Sequence, residues 1–270
     1  MMGRKHLKGE DNLKRILATG DWHCGHVVGL TPPRYQFQET GDHYRDKFAK
    51  IQRQMWDWWV EKVDQYKPIH RLIINGDAIE GKGPRSGSTE LFTADRLMQG
   101  QVAVAVARSV EAEEIAMTFG TTAHTGGDED LEIPIAQELG ATIESHLNRE
   151  VEGVRIDARH FIGSSSIPHG RYTPLAREDL WRLIWADRSE RYAPHLVLRS
   201  HVHYYGYAGN EWATMMTLPC MQGLGSKFGS RVCSGTVSLG FVIIDCEDGK
   251  FTWKTEVIPL SEQVSDWKPW

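Results

Sequence analysis

Short apolar runs that stop abruptly at a polar turn recur along the chain. Residues 13–19 (LKRILAT) are closed by Gly20-Asp21, the pattern of a buried strand. Residues 22–41 are rich in Gly, Pro and aromatics without periodicity and read as a loop. From Asp42 the spacing changes: Tyr44, Phe48, Ile51, Met55, Trp58 and Val63 recur at helical intervals, and Pro68 lies past the end. A second buried strand, 70–74 (HRLII), again ends in Gly-Asp, at Gly76-Asp77, before a glycine-rich loop. A helix is predicted over 94–111. A strand over 114–119 then runs into Gly120-Thr121-Thr122-Ala123-His124. A helix over 128–139 stops at Gly140, and a strand over 154–162 carries His160 near its end. Thr173-Pro174 is a helix start, an N-cap residue followed by proline, with Leu175, Leu180, Leu183 and Ile184 as the apolar stripe. Residues 195–198 form a strand ending at Ser200-His201-Val202-His203. From Tyr204 onward the pattern favours strands: YYGYA, EWATMMTL, TVSLGFVIID and KFTWKTEVI.

Strand and helix alternate early and strands dominate late, so the pattern predicts sheets flanked by helices in one layered domain over residues 1–270. No repeat, low-complexity tract or linker interrupts it. With 40% hydrophobic residues, 270 residues can bury a sizeable core. A net charge of −5 leaves no basic footprint for duplex nucleic acid. Bound divalent cations would reverse the charge locally, so a nuclease stays open. No apolar stretch approaches the roughly 20 residues that span a bilayer, and the charged N-terminus lacks a signal-peptide core. Cys24, Cys220, Cys233 and Cys246 show no paired spacing, as expected of reduced thiols in a cytoplasmic protein with no membrane partner.

The candidate chemistry lies at the strand ends: Asp21-Trp22-His23, Gly76-Asp77, Gly120 to His124, His160 or His169, and His201-Val202-His203. In open sheets flanked by helices, ligands gather at such ends. Alternate residues share a face, so Asp-x-His and His-x-His can each present two ligands to one site. Carboxylates and imidazoles without cysteine suit Mn, Fe, Zn, Co or Ni and argue against a structural zinc site. Each motif alone is weak. Twelve histidines would produce about 0.5 His-x-His pairs by chance, and Gly-Asp is ordinary turn chemistry. Four separate strands that all end in ligands for a two-metal site are another matter.

The ordered set resembles the calcineurin-like metallophosphoesterase superfamily, whose pattern is Asp-x-His, Gly-Asp, Gly-Asn-His, a lone His and Gly-His-x-His. The resemblance spans Asp21 to His203 and is nearest to phage-type members, through Gly120-Thr-Thr-Ala-His124 and Tyr172-Thr-Pro-Leu-Ala-Arg-Glu178. It implies a four-layer α-β-β-α sandwich of two mixed sheets and two divalent ions, with Mn²⁺ preferred. It further implies that Asp21, His23 and His203 hold the first ion, Asp77 bridges, and His160 and His201 hold the second. Thr121 stands where the family has an asparagine, and His124 lies two residues later than its histidine. His124 is thus either a metal ligand in the asparagine's place or a catalytic histidine near the leaving group. Ser200 replaces a glycine, which is tolerated if the turn needs no positive φ. Asn75 and Glu80 can orient ligands, and Trp22 can line the pocket. His26, Lys82, Arg85 and Asp128 are loop polars near the site. Trp56, Trp58 and Trp59 read as core.

Such a site implies hydrolysis by a metal-activated hydroxide. If His124 is a ligand, no histidine remains as general acid, which favours good leaving groups: a small phosphodiester or nucleotide over an alkyl monoester. A nuclease acting on DNA or RNA is the nearest rival. A non-catalytic metal-binding scaffold of the same fold is the rival from another class. The oligomeric state has no sequence signature.

Overall fold

The computed structural model describes residues 12–83, 86–126, 130–165, 167–223 and 237–258. Arg85, Asp128 and Cys233 lie outside these, as does the start of the helix expected from residue 128.

The first sheet takes β1 (Lys14–Thr19), β2 (Arg71–Asn75), β3 (Glu114–Thr118), β4 (Thr142–Glu144), β10 (Gly240–Glu247) and β11 (Lys250–Val257), in the order β11-β10-β1-β2-β3-β4. β1 to β4 run parallel, while β10 and β11 add antiparallel strands on the far side of β1. The second sheet takes β5 (Leu147–Val151), β6 (Val154–Ala158), β7 (Leu196–Arg199), β8 (Gly206–Gly209) and β9 (Thr214–Thr217), in the order β5-β6-β7-β9-β8. It too is mixed: β6, β7 and β9 are parallel, and β5 and β8 join antiparallel.

The two-residue period of a strand sorts the side chains into layers. Ile16, Ala18 and Ile73 of the first sheet meet Ile156, Leu196, Leu198 and Met216 of the second in one buried cluster, so the sheets pack face to face. Leu17, Leu72 and Ile74 point the other way. They pack with Met55, Trp59 and Val63 of α1 (His43–Tyr66) and Val102, Val106 and Val110 of α2 (Arg96–Val110). Ile135 of α4 (Glu132–Leu139) closes that layer. On the outer face of the second sheet, Val197 and Met215 meet Leu175 of α5 (Thr173–Ser189). The order is helix, sheet, sheet, helix, the four-layer sandwich expected. Asp42 caps α1 and Asp95 caps α2, each carboxylate accepting two backbone N–H groups of the first turn. Among the described residues no helix is long and apolar enough to cross a membrane.

Three expectations need correction. β4 and β5 are strands that the pattern did not predict. They are short and partly exposed, and they lack a continuous apolar run. Thr173 is the first residue of α5 rather than its cap; Tyr172 occupies the cap position without a side-chain hydrogen bond. The stripe of α5 is the largest miss. Leu175 is buried, but Leu180 and Leu183 are exposed, along with Trp181 and Trp185. The face turned to the sheet carries ion pairs instead. Arg199 of β7 reaches Glu178 at 2.5 Å and Asp157 at 2.6 Å, and Arg182 binds Asp179 at 2.6 Å.

Candidate metal centre

β1 and β2 of one sheet and β6 and β7 of the other all end on the same side of the sandwich. Asp21 and His23 follow β1, Asp77 follows β2, His160 follows β6, and His201 and His203 follow β7. His124 arrives from α3 (Thr122–Thr125), the short turn after β3. Three overlapping sets of ligand atoms result: Asp21, His23 and His203; His23, Asp77 and His124; and Asp77, His160 and His201. Within each set the ligand atoms lie within 4.8 Å of one another, so each could hold a metal ion. All seven sequence candidates are thereby brought together. His169 is not among them, being exposed in the turn Pro168–Tyr172.

The backbone is strained where these residues sit. Asp21, His23, Asp77, His201 and His203 have φ of 49°, 47°, 50°, 73° and 56°. The left-handed region costs an L-residue about 1–2 kcal/mol, and such strain clusters at functional sites. It lets a strand end turn sharply so that alternate side chains converge. Ser200 itself does not adopt positive φ, because His201 and His203 take that conformation. A serine therefore serves where glycine was expected, and its hydroxyl accepts from Asn75 Nδ2 at 2.8 Å. Gly120 is required by close approach: a Cβ there would lie 2.2 Å from Asp77 Oδ1.

The imidazoles are oriented from behind. His160 Nδ1 donates to the Asn75 carbonyl at 2.8 Å, and His124 Nδ1 donates to the Glu80 carbonyl at 2.9 Å. His23 Nδ1 meets Glu80 Oε2 at 2.8 Å. Anchoring Nδ1 turns Nε2 toward the centre, which is how protein acceptors fix a metal-binding tautomer. His23 Nε2 then lies 3.1 Å from His203 Nε2, and His203 Nε2 lies 3.2 Å from Asp21 Oδ1. His160 Nε2 lies 3.0 Å from Asp77 Oδ2. Among the described residues, buried Asp21 Oδ1 and His160 Nε2 have no partner in hydrogen-bonding geometry. Such orphans are rare unless a water or ion satisfies them.

The electrostatics are those of a site in which cations balance carboxylates. Burial would lower His23, but Asp21 and Glu80 raise it to about 9. Burial would likewise lower His160, which Asp21 and Asp77 raise to about 9. Asp77, despite burial, is drawn down to about 2 by His160. His203 is raised against burial by Cys220 and Asp21. His124 and His201 are lowered by burial and by the cationic neighbours His23 and His160, respectively.

Asn75 and Glu80 both serve the ligands, as the contacts above show. Trp22 does not line the site: its ring is fully buried against Trp59, with Nε1 donating to Thr19 Oγ1 at 2.9 Å. The sequence places it between two ligands, and period-two alternation turns it to the opposite, helix-packed face. Trp59 is likewise core, with Trp56 and Trp58 packed on its edge. His26 is buried, its burial lowering it to about 4, and Lys82 is exposed.

Glu132 escaped the sequence reading. From the start of α4 its Oε1 accepts the Ala78 N–H at 2.8 Å and its Oε2 the Gly120 N–H at 2.7 Å. One carboxylate thus ties the Asp77 turn to the loop that carries His124. Burial and the Asp77 charge raise Glu132 to about 8, against the pull of its two donors. Its only sequence signal was a carboxylate in the apolar segment EIPIAQEL. Glu132→Ala is expected to weaken Mn²⁺ binding about 10- to 100-fold, the usual cost of losing a group that positions ligands. Calorimetric titration of metal-stripped protein checks this, and unchanged affinity would rule the tie out.

No family model and no curated protein matches the chain. It is similar to solved structures at low identity. One is wild-type Vps29 of Entamoeba histolytica complexed with Zn²⁺, at 13% identity, covering 90% of this chain and 98% of that one, with a TM-score of 0.47. Another is a conserved Streptococcus pneumoniae protein described as a predicted phosphoesterase, at 11% identity, covering 92% and 94%, with a TM-score of 0.40. A third is a novel archaeal phosphodiesterase, at 12% identity, covering 90% and 99%, with a TM-score of 0.42.

Proposed function

We propose that residues 1–270 form a single metal-dependent phosphodiesterase unit of the calcineurin-like metallophosphoesterase superfamily. The observation that carries this reading is the convergence of Nε2 atoms from His23, His124 and His160, each with its Nδ1 anchored behind, on the carboxylates Asp21 and Asp77. The orphaned Asp21 Oδ1 and His160 Nε2 fit a cation, and the nitrogen and oxygen donors fit Mn²⁺, with Fe, Zn, Co or Ni as alternatives. Asp21, His23 and His203 would hold one ion and His160 and His201 a second, with Asp77 common to both. When bound, such ions polarise phosphoryl oxygens and acidify a water.

The residues of the chain set the rest. Water adds at phosphorus, one P–O ester bond breaks, and the products are a monoester and an alcohol. His124 has its Nδ1 donating to the Glu80 carbonyl and its Nε2 3.9 Å from Asp77 Oδ2, and burial lowers its basicity, all of which supports a ligand's role over a proton donor's. The leaving oxygen then departs without a histidine proton, and activated diesters outrun alkyl monoesters. A small phosphodiester or nucleotide is the substrate class that this favours. Chelator-stripped protein is expected to hydrolyse bis-p-nitrophenyl phosphate only after Mn²⁺ is restored, and faster than p-nitrophenyl phosphate. No turnover with Mn²⁺, Fe²⁺, Zn²⁺, Co²⁺ or Ni²⁺ would defeat the reading.

A further inference from the structure

The outward face of α5 is the wrong way round for a helix that covers a sheet. A covering helix puts its apolar stripe on the core. Here Glu178 pairs with Arg199 of β7 and Asp179 pairs with Arg182 within the helix, while Trp181 and Trp185 are 50% and 57% exposed. Arg177, Trp181 and Trp185 follow one another at i, i+4 and i+8, so they share one face of the helix. That face is one wall of a cleft of about 850 Å³, within the range that holds a small ligand. Thr121 and His160 of the metal centre line the same cleft, as does Phe161, which is 63% exposed and 4.9 Å from the His201 ring.

The charge of the cleft differs from that of the chain. Arg177 has no ion pair among the described residues, and the buried Nε of cleft-lining Arg159 has no partner among them. Glu178, the one carboxylate among the described residues of the lining, is occupied by Arg199 and Arg159. In a protein of net charge −5, the cleft beside the candidate metals presents aromatic rings, the Arg177 guanidinium and the unpartnered Nε of Arg159. Exposed rings stack on nucleobases whatever the base, and guanidinium groups complement phosphate.

We infer that the cleft between Phe161 and the Trp181–Trp185 face of α5 is a subsite for the nucleobase of a phosphodiester substrate, with Arg177 on its phosphate. This rests on the phosphodiesterase reading above. It is tested with two esters that share a leaving group, thymidine 5′-phosphate p-nitrophenyl ester and methyl p-nitrophenyl phosphate. Water cleaves each at the P–O bond to p-nitrophenol, leaving thymidine monophosphate or methyl phosphate. With Mn²⁺, kcat/KM is expected to favour the thymidine ester about 5-fold or more, since stacking of one base supplies at least that factor. Trp181→Leu combined with Trp185→Leu should bring the ratio near 1, and Trp181→Phe with Trp185→Phe should restore most of it. Calorimetric binding of thymidine 5′-monophosphate over ribose 5-phosphate should follow the same order and needs no turnover. Thymidine oligonucleotides as competitors separate the two sources of the base. Competition that strengthens with length assigns the cleft to single-stranded nucleic acid, and length-independent competition assigns it to nucleotide esters.

Equal kcat/KM for the two esters in the wild type would overturn the inference while leaving the phosphodiesterase reading intact. So would leucine variants that change the oligomeric state but not the ratio, which would assign the face to a second copy of the chain. Failure to cleave either ester defeats the phosphodiesterase reading itself. The calorimetric comparison then still decides whether the cleft takes a base.

Discussion

Asp77→Asn is expected to lower kcat for bis-p-nitrophenyl phosphate by about 1,000-fold or more, the scale at which a main electrostatic element of a hydrolytic site is lost. Asparagine is the informative replacement. Asp77 sits at φ 50°, a conformation that Asn adopts readily and Ala does not. It is almost fully buried, so a smaller side chain would also leave a void. Asn removes one charge, keeps the shape, and still offers an oxygen to the Thr121 N–H, which now donates to Oδ1 at 2.7 Å. Asp77→Ala should lose as much activity and also melt lower, because it adds backbone strain and a cavity. Steady-state rates at saturating Mn²⁺, with melting temperatures measured alongside, separate the two effects. A variant with asparagine that retains more than a tenth of wild-type kcat would mean that Asp77 is not shared between two ions.

The second large effect links metal, pH and stability. At neutral pH the raised histidines His23 and His160 hold protons that a divalent ion has to displace. Their elevation to about 9 stabilises metal-stripped protein fully below the unfolded value near 6.5, and that contribution is lost as pH rises through 9. Asp77, depressed to about 2, has the opposite sign: its contribution is present above the unfolded value near 3.8 and lost only as pH falls through 2. Metal-stripped protein should therefore melt lower as pH rises from 6.5 to 9. At a fixed metal concentration the contribution of bound metal grows over the same window, because fewer protons compete for the ligands. At 100-fold excess over Kd, each ion contributes about 2.7 kcal/mol, and two raise the melting temperature by roughly 10 °C. Scanning calorimetry with and without Mn²⁺ at pH 6.5, 7.5 and 8.5 should show the gap widening with pH. A gap that narrows would mean that these histidines do not bind metal through their basic forms.

Much of the arrangement was legible in the residues. Apolar runs closed by Gly-Asp or His-x-His marked the ends of β1, β2 and β7, because a buried parallel strand leaves little choice of composition until its chain turns. The facing of individual side chains was less legible. Trp22 lies between two ligands in sequence yet on the opposite side in space. Glu132 serves the centre from a helix that nothing in its own segment links to Asp77. The stripe of α5 misled for a physical reason. Periodicity locates a helical face but cannot say whether it meets a core or a ligand, and here the pair of Glu178 with Arg199 of β7 joins Leu175 in attaching the helix. β4 and β5 bury only part of their surface, so the alternation that would mark them is weak.

The strand ends that meet at the centre belong to two different sheets, and their residues are far apart along the chain. His203 lies 3.2 Å from Asp21 across 182 positions, and the His201 N–H donates to Asp21 Oδ2 at 3.0 Å. A nascent polypeptide therefore leaves the ribosome with Asp21, His23, Asp77 and His124 well before the β7 histidines exist to join them. Until that late strand is inserted beside β6, the amino-terminal half offers incoming metal only one of the three donor sets, that of His23, Asp77 and His124. On the two-metal reading proposed above, loading of the full pair would belong to the end of biosynthesis, after the sandwich has closed.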